Sequence, residues 1–234
     1  MTKDGACLCR GRMLGQGPAM DVAVRNGAVM EVRPAGRGRA DAGSPDAVIA
    51  PPLFDIQVNG VAGLDLQDPA LNADRVAEMT ERLAGMGVAQ WVPTLVTAAQ
   101  DAMEHACRVI AGATADARVA RAVPGIHLEG PHISPEDGPR GAHPSAHVRP
   151  PDLAAFDRLR KASRNGILYA TLAPELPGAA AFIRGLRRRG VLPAIGHHNA
   201  SAEQIATAAD AGARLSTHLG NGSAPLMPRH ANPL

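Results

Sequence analysis

The sequence predicts an α/β protein built as a (β/α)8 barrel, of which about six strands are present. From Pro51 onwards, apolar strand-like runs alternate with amphipathic helical stretches, a pattern that implies parallel strands joined by right-handed crossovers. The glycine-rich phosphate turn of a dinucleotide-binding sheet is missing after the first run, where the polar side chains of Asp55, Gln57 and Asn59 stand instead. Three later runs end in clusters of histidine and glutamate, and barrels carry their chemistry at the carboxyl ends of strands. A barrel is therefore preferred to an open doubly wound sheet.

Length and composition limit the classes of protein to consider. With 234 residues, 45% of them hydrophobic, the chain can form one large domain or a domain and a half. A net charge of +2 and only 2% aromatic residues argue against nucleic-acid binding. No apolar run approaches the ~18 residues that span a bilayer, and the first twenty residues lack a signal-peptide core. We expect a cytoplasmic protein with neither a nucleic-acid nor a membrane partner.

Residues 1–50 read as a small β domain. Asn26-Gly27 stands between two short apolar runs, which is the strongest local hairpin signal. Strands are predicted at residues 6–10, 21–24 and 28–32, and a polar loop at residues 36–45. Cys7 and Cys9 have the spacing of one strand face, which favours side-by-side packing over metal binding.

Residues 51–234 form the predicted barrel part. Its strands are predicted at residues 53–58, 89–96, 123–128, 166–172, 191–195 and 213–217. Helices are predicted at residues 76–86, 102–111, 153–161, 179–189 and 201–211. Ser201 resembles a helix start and Gly212 a helix stop.

Glu129, His197 and His218 each follow a predicted strand, so they meet at the same mouth of a barrel. Considered alone, Glu129 could be an ordinary loop carboxylate, and each histidine could have only a structural role. Together they have the carboxylate and imidazole donors of a catalytic metal site. The spacing of 21 positions from His197 to His218 matches one helix-and-strand repeat. His198 is the rival of His197, because adjacent residues at a strand end point in opposite directions.

Other polar residues near these strand ends leave alternatives open. His127 is either a pocket histidine without metal contact or a functional one. His143, in the Gly141-Ala142-His143-Pro144 loop, is either solvated or a hydrogen-bond donor to a substrate. Arg229 could clamp a phosphate, although a single arginine is a weak signal.

These clusters resemble those of the N-acetylglucosamine-6-phosphate deacetylase family of the amidohydrolase superfamily. The matching segments run in family order and cover most of the chain after Pro51: residues 54–60, 127–131, 141–144, 196–200, and 217–219 with Asn221. The resemblance implies a metal-bearing (β/α)8 barrel beside a small β-sandwich made from both chain ends. It also implies hydrolysis of an acetamide on a phosphorylated amino sugar and a possible homodimer.

The resemblance assigns roles residue by residue. It implies that Glu129, His197 and His218 are the metal ligands. Gln57 and Asn59 occupy the places where many amidohydrolases carry His-x-His for a second ion, so we expect one divalent ion, zinc before iron or another metal. The implied substrate contacts are His143 with its neighbour Ala142, Asn221 with Gly222, and, for the phosphate, Arg229.

Three departures from the family pattern matter. Gly220-Asn221-Gly222-Ser223 replaces an aromatic residue followed by Asn-Ala-Met, and residues 226–234 differ from the commonest form. The family's catalytic aspartate belongs to the eighth strand, beyond Leu234, so we expect no catalytic acid or base in this chain and little turnover. The alternatives are an amidohydrolase for another N-acyl amino sugar or a cyclic amide, and an inactive fragment that only binds metal.

Overall fold

The computed structural model describes residues 5–224 and 226. The chain divides into two compact units, Met1–Pro52 and Leu53–Leu234, two residues beyond the boundary expected from the sequence. Each unit has its own sheet.

The first unit is a four-stranded sheet in the order β3-β2-β1-β4. Its strands are β1 (Ala6–Met13), β2 (Ala19–Arg25), β3 (Ala28–Pro34) and β4 (Ala42–Ile49). Strand β1 pairs antiparallel with β2 and parallel with β4. Asn26 and Gly27 both have positive φ, 51° and 78°, as the predicted Asn-Gly hairpin requires.

Strand β4 corrects the loop expected at residues 36–45, because Ala42 already pairs with Cys9 of β1. The segment reads as loop because it lacks alternation, but pairing with β1 supplies its backbone partners. Across the sheet, the guanidinium of Arg10 donates two hydrogen bonds to the carboxylate of Asp21 at 2.6 and 3.0 Å, and both residues are buried.

As far as the structure describes it, the second unit contains six parallel strands in the order β12-β11-β10-β9-β8-β5, and a two-stranded hairpin β6-β7. Its strands are β5 (Leu53–Val58), β6 (Gly60–Val61), β7 (Leu64–Asp65), β8 (Val88–Val96), β9 (Ile126–Glu129), β10 (Ile167–Leu172), β11 (Leu192–Ile195) and β12 (Leu215–Ser216). Neighbours in the six-stranded sheet follow chain order throughout, whereas strand order reverses in a doubly wound sheet. The arrangement is a half-barrel, as predicted.

In the described residues, six α-helices lie between these strands, two of them (α2 and α3) before β9: α1 (Ala73–Gly85), α2 (Gln100–Ala113), α3 (Ala117–Ala122), α4 (Leu153–Ala162), α5 (Ala179–Arg188) and α6 (Ala202–Ala211). The predicted start of α6 is a capping box, in which the Ser201 hydroxyl accepts from the Gln204 amide and the Gln204 side chain accepts from the Ser201 amide. Gly212 ends the helix in the left-handed region. Helix α3 was not predicted, because six residues are too few to show a helical period.

Apolar side chains of the helices and strands form one main core, centred on buried residues that include Trp91, Met79, Leu128, Phe156, Leu172 and Ile183. This core fixes the strands, so their carboxyl ends converge on one rim. None of the helices in the described part of the chain is long and apolar enough to cross a membrane.

Candidate metal centre

The candidate site lies where β9, β11 and β12 end. Glu129 is the last residue of β9. Ile195 of β11 pairs with Ser216 of β12, so His197 and His218 each follow two residues beyond a paired position. The sheet register therefore makes these two histidines equivalent, as their spacing predicted.

His197 and His218 also share an unusual backbone conformation. Their φ angles are 52° and 53°, in the left-handed region that non-glycine residues seldom enter. Such strain persists only where the surrounding structure imposes it, and it is concentrated at functional sites. At both positions the turn follows immediately after a parallel strand and directs the imidazole toward Glu129.

The Nε2 atoms of both imidazole rings lie close to the same oxygen of Glu129. Its Oε1 lies 2.9 Å from His197 Nε2 and 2.7 Å from His218 Nε2. The Glu129 side chain is 3% exposed and that of His197 is 9% exposed, whereas His218 is 40% exposed. We call these three residues, Glu129, His197 and His218, the Glu129 group. The group is buried on the Glu129 side and open to solvent on the His218 side.

The partners of His197 define its tautomer. Its Nδ1 lies 3.0 Å from the carbonyl oxygen of Pro139, which can only accept a hydrogen bond, so Nδ1 carries the proton. In the neutral ring, Nε2 then presents a lone pair to a carboxylate oxygen. Two electron-rich atoms at this distance need a cation between them or a second proton on the ring. A histidine whose outer nitrogen donates to a carbonyl is the usual arrangement of a metal ligand.

Gln57 holds the other oxygen of Glu129. Its side-chain amide donates to Glu129 Oε2 at 2.9 Å and lies 3.5 Å from His218 Nε2. Asn59 points elsewhere, because its amide donates to the carbonyl oxygen of Thr94 at 3.3 Å. Gln57 lies in the last part of β5 and Asn59 directly follows that strand, but only Gln57 contacts the Glu129 group.

The charge of Glu129 is well stabilised. Burial raises the pKa of its carboxyl, but the contact with His197 and the nearby imidazoles of His127, His197 and His143 outweigh that effect and lower the pKa to about 2. The site therefore holds a carboxylate throughout the neutral range.

His143 lies beside this group. Ligand atoms of Glu129, His143 and His197 all lie within 4.8 Å of one another. The Nδ1 of His143 accepts from the backbone amide of Thr97 at 3.3 Å and lies 2.9 Å from the Thr97 hydroxyl. An amide can only donate, so Nε2 must carry the proton of the neutral ring. Burial, followed by repulsion from His197, lowers the pKa of His143 to about 4, so the ring is a neutral hydrogen-bond donor.

No protein-family profile matches the chain, but individual proteins do. It is 34% identical to the N-acetylgalactosamine-6-phosphate deacetylase of Escherichia coli O157:H7 over 182 residues, which are 78% of this chain and 47% of that protein. It is 33% identical to the human N-acetylglucosamine-6-phosphate deacetylase over 219 residues, 89% of this chain and 52% of that one.

A solved structure agrees over a longer part of the chain. An aspartate-to-alanine variant of the Mycobacterium smegmatis N-acetyl-D-glucosamine-6-phosphate deacetylase, in complex with N-acetyl-D-glucosamine-6-phosphate, superposes with a TM-score of 0.84 at 29% identity. The match covers 98% of this chain and 59% of that one. The chain belongs to the N-acetylglucosamine-6-phosphate deacetylase family. It spans about half the length of the curated relatives it matches.

The remaining predicted substrate contacts of this deacetylase-family chain differ in their exposure to solvent. Gly222 is buried, and a Cβ added there would lie 2.8 Å from the carbonyl oxygen of Thr217, so the close approach of two backbones requires glycine. Asn221 and Ala142 are exposed. Arg229 lies outside the described residues.

His198 is buried and turned away from Glu129. Its amide donates to Gly222 at 3.0 Å, and its Nδ1 accepts from the Ala200 amide at 3.2 Å. Burial, followed by repulsion from His197, lowers its pKa. The structure therefore separates the two adjacent histidines: His197 faces the carboxylate, and His198 holds the turn behind it.

His127 belongs to a buried polar chain beneath the site. The Thr94 hydroxyl donates to the Val92 carbonyl, so His127 Nδ1 donates to Thr94 at 3.2 Å and its Nε2 accepts from Thr171 at 2.7 Å. Thr171 in turn lies 2.8 Å from the Thr217 hydroxyl. The ring stacks on Tyr169 with centroids 3.8 Å apart, and burial lowers its pKa to about 3. It is a neutral structural histidine without contact to Glu129.

Two residues that support the site were missed in the sequence. Thr97 fixes the tautomer of His143, and the Pro139 carbonyl fixes that of His197. Neither residue type is a signal by itself. Their roles depend on a loop returning to the barrel mouth, which no local pattern shows.

Proposed function

We propose that this protein hydrolyses the acetamide of N-acetylglucosamine 6-phosphate, giving glucosamine 6-phosphate and acetate. One divalent ion, zinc as the first expectation, is held by Glu129, His197 and His218. The observation that carries the proposal is the approach of two imidazole Nε2 atoms to one carboxylate oxygen. Membership of the deacetylase family supports the same reaction.

The donor set fits a divalent ion. The His197 lone pair faces a carboxylate that stays charged, and a cation removes the repulsion between them. A divalent ion held there supplies Lewis acidity to the acetamide carbonyl and to a hydrolytic water. Gln57 and Asn59 offer amides in place of two imidazoles, and Asn59 is bonded to the backbone, which supports one ion rather than two.

The protein groups around the ion divide the remaining work. His143 keeps a proton on Nε2 and donates it as a hydrogen bond to the sugar or to the acetamide oxygen, where negative charge develops. Gln57 fixes the second oxygen of Glu129, so the carboxylate turns one oxygen toward the histidines. The resemblance assigns proton transfer from water to the leaving nitrogen to an aspartate after an eighth strand.

Substrate recognition follows from the rim of the site. Asn221 and Ala142 are exposed on segments beside His218 and His143, where they can contact the sugar, and Gly222 lets the backbone beside Asn221 pack closely against Thr217. Arg229 is proposed to bind the phosphate. The Gly220–Ser223 segment departs from the family pattern, so another N-acyl amino sugar is the alternative substrate. We further propose a cytoplasmic enzyme that forms a homodimer.

Binding and turnover together test the proposal. The zinc-loaded chain is titrated with N-acetylglucosamine 6-phosphate, with its galacto epimer and with unphosphorylated N-acetylglucosamine, while acetate release is followed by proton NMR. We expect the gluco phosphate to bind most tightly and Glu129→Gln to abolish metal-dependent binding. Tighter binding of the epimer would change the substrate, and equal binding without metal would remove the proposed site.

The second candidate is a metal-binding chain without turnover, favoured by the full engagement of Glu129, whose two oxygens contact His197, His218 and Gln57 and so are not free to act as a base. Loss of acid and base assistance costs about 10²- to 10⁴-fold in rate. Metal content at one ion per chain with no acetate release supports this candidate. Turnover at ~1 s⁻¹ or faster, within the range of ordinary enzymes, would exclude it.

A further inference from the structure

Strand β1 carries two cysteines side by side. The Sγ atoms of Cys7 and Cys9 lie 3.7 Å apart, and both residues are half-buried. They point to the same face of the sheet, where their partners on β2 are Val24 and Val22. The third cysteine, Cys107, is buried in α2 of the other unit.

The separation of the two sulfurs matches the spacing of a chelating dithiolate. Two metal–sulfur bonds of about 2.3 Å, set at the tetrahedral angle, place the sulfurs about 3.8 Å apart. An ion can therefore bridge Cys7 and Cys9 without rearrangement of β1.

The strand opposes the alternative of a disulfide. Residues i and i+2 of an extended strand have Cα atoms about 6.6 to 6.8 Å apart, at the upper end of the range that a disulfide spans, with a mode of about 5.5 to 6 Å. Bending β1 to shorten that distance would disturb its pairing with β2 on one side and β4 on the other. The pair is therefore maintained as two thiols.

The surroundings of the pair select soft ions. Cys7 lines a surface cavity of about 330 Å³ to which Met30, Glu31 and Asp41 also contribute, so an ion can reach the Cys7 sulfur from solvent, and the Cys9 sulfur lies 3.7 Å farther on. Burial raises the pKa of the Cys9 thiol, and the contact with Cys7 and the charge of Asp41 raise it further. An ion must displace the thiol protons, which requires the strong sulfur affinity of a soft ion.

We propose that Cys7 and Cys9 form a two-sulfur binding site for a thiophilic metal or metalloid ion, such as Cd²⁺ or trivalent arsenic. The site belongs to the first unit and shares no residue with the Glu129 group. It gives the protein sensitivity to such ions that does not depend on the proposed hydrolysis.

Phenylarsine oxide is the probe for this dithiol. The two thiols lose their protons, two arsenic–sulfur bonds form, and the oxide oxygen leaves as water with both protons. Arsenic remains trivalent, so the reaction needs no oxidant or reductant. Intact mass spectrometry of the full chain counts the adducts, and a thiol reagent added under unfolding conditions counts the remaining thiols.

We expect one adduct, with two thiols lost, in the wild-type chain and in Cys107→Ser. Cys7→Ser and Cys9→Ser should bind at least about 100-fold more weakly, because each loses the second, intramolecular bond. Circular dichroism establishes that both variants fold. Equal binding by wild type and Cys7→Ser, or an adduct that disappears in Cys107→Ser, would overturn the proposal.

Cd²⁺ provides a second measurement. In Cys107→Ser, the Cys7–Cys9 pair should give an ultraviolet thiolate-to-metal charge-transfer band that saturates at one equivalent and persists in Glu129→Gln. A band that is lost with Glu129→Gln and kept in the Cys7→Ser variant would contradict a site in the first unit.

Discussion

Glu129 Oε1 and His218 Nε2 lie 2.7 Å apart, although the residues are 89 positions apart in the chain. The pair joins the end of β9 to the turn after β12, so three successive crossovers must be in place before it forms. The contact between Glu129 and His218 can therefore form only when the strands from β9 to β12 are in place.

Removing His218 should sharply reduce metal occupancy. His218→Ala takes away one of the three proposed donors, and we expect a loss of at least about 100-fold in zinc affinity, beyond the 10- to 100-fold typical of outer-shell changes. His198→Ala is the matched control, because its ring faces Ala200 rather than Glu129. Zinc per chain, measured by inductively coupled plasma mass spectrometry, should fall only in the first variant. The reverse result would exchange the roles of the two histidines.

Gln57 should affect metal affinity without being a ligand. Gln57→Leu removes the donor to Glu129 Oε2, and we expect zinc to bind roughly 10-fold more weakly, the lower end of effects for groups that orient ligands. Asn59→Ala serves for comparison, since its amide bonds Thr94. Calorimetric zinc titrations should separate the two variants. A larger loss in Asn59→Ala would contradict the division of roles described above.

His127 should contribute to stability rather than to metal binding. His127→Ala leaves the Thr171 and Thr94 hydroxyls without their ring partner and opens a cavity beneath Tyr169. We expect a loss of about 2 to 4 kcal/mol in the free energy of unfolding, measured by urea denaturation. His147→Ala, at a half-buried position of a short turn, should cost much less. Unchanged stability together with lost metal would indicate a direct role at the site.

The pair Arg10–Asp21 should make the first unit sensitive to acid. Hydrogen bonds from the Arg10 guanidinium and then from the Gly36 amide lower the pKa of Asp21 from 3.8 to about 2. A lowered folded-state pKa stabilises the fold above the unfolded value, and that contribution disappears as pH falls through the folded one. The difference in urea midpoint between wild type and Asp21→Asn should therefore be constant above about pH 4 and shrink toward pH 2. A difference that grows on acidification would reverse the sign.

Strand β5 should promote self-association. Among the described residues it pairs only with β8, and Phe54 and Ile56 are 51% and 52% exposed. Exposed strand edges with apolar side chains are templates for pairing between chains. Phe54→Lys should lower the light scattering of concentrated solutions, whereas Gln90→Lys, on the neighbouring strand, should not. Equal scattering from both variants would show that this edge is not the contact.

The sequence predicted the structural elements that are determined by local residue chemistry. The Asn26-Gly27 hairpin, the Ser201 cap and the equivalent strand ends of His197 and His218 all follow from turn chemistry and period. Strand β4 escaped prediction because its pairing with β1 is set by the sheet and not by its own alternation.

Within the site, residue types predicted which side chains meet, but not how their protons are placed. The tautomers of His143 and His197 depend on Thr97 and Pro139, whose loops come from elsewhere in the chain. These contacts join residues that are distant in the chain, so local sequence patterns do not predict them.

The strictly sequential order of the six parallel strands has a consequence for folding kinetics. Each neighbouring pair is separated by a complete crossover, so loop closure must precede nearly every sheet contact, a topology associated with slow folding. Glu129, His197 and His218 lie at the ends of three different strands and meet only after the crossover into β12 has closed. Binding of the proposed ion should therefore follow the pairing of β12 with β11, and the rate at which refolding chains take up zinc would report when that pairing forms.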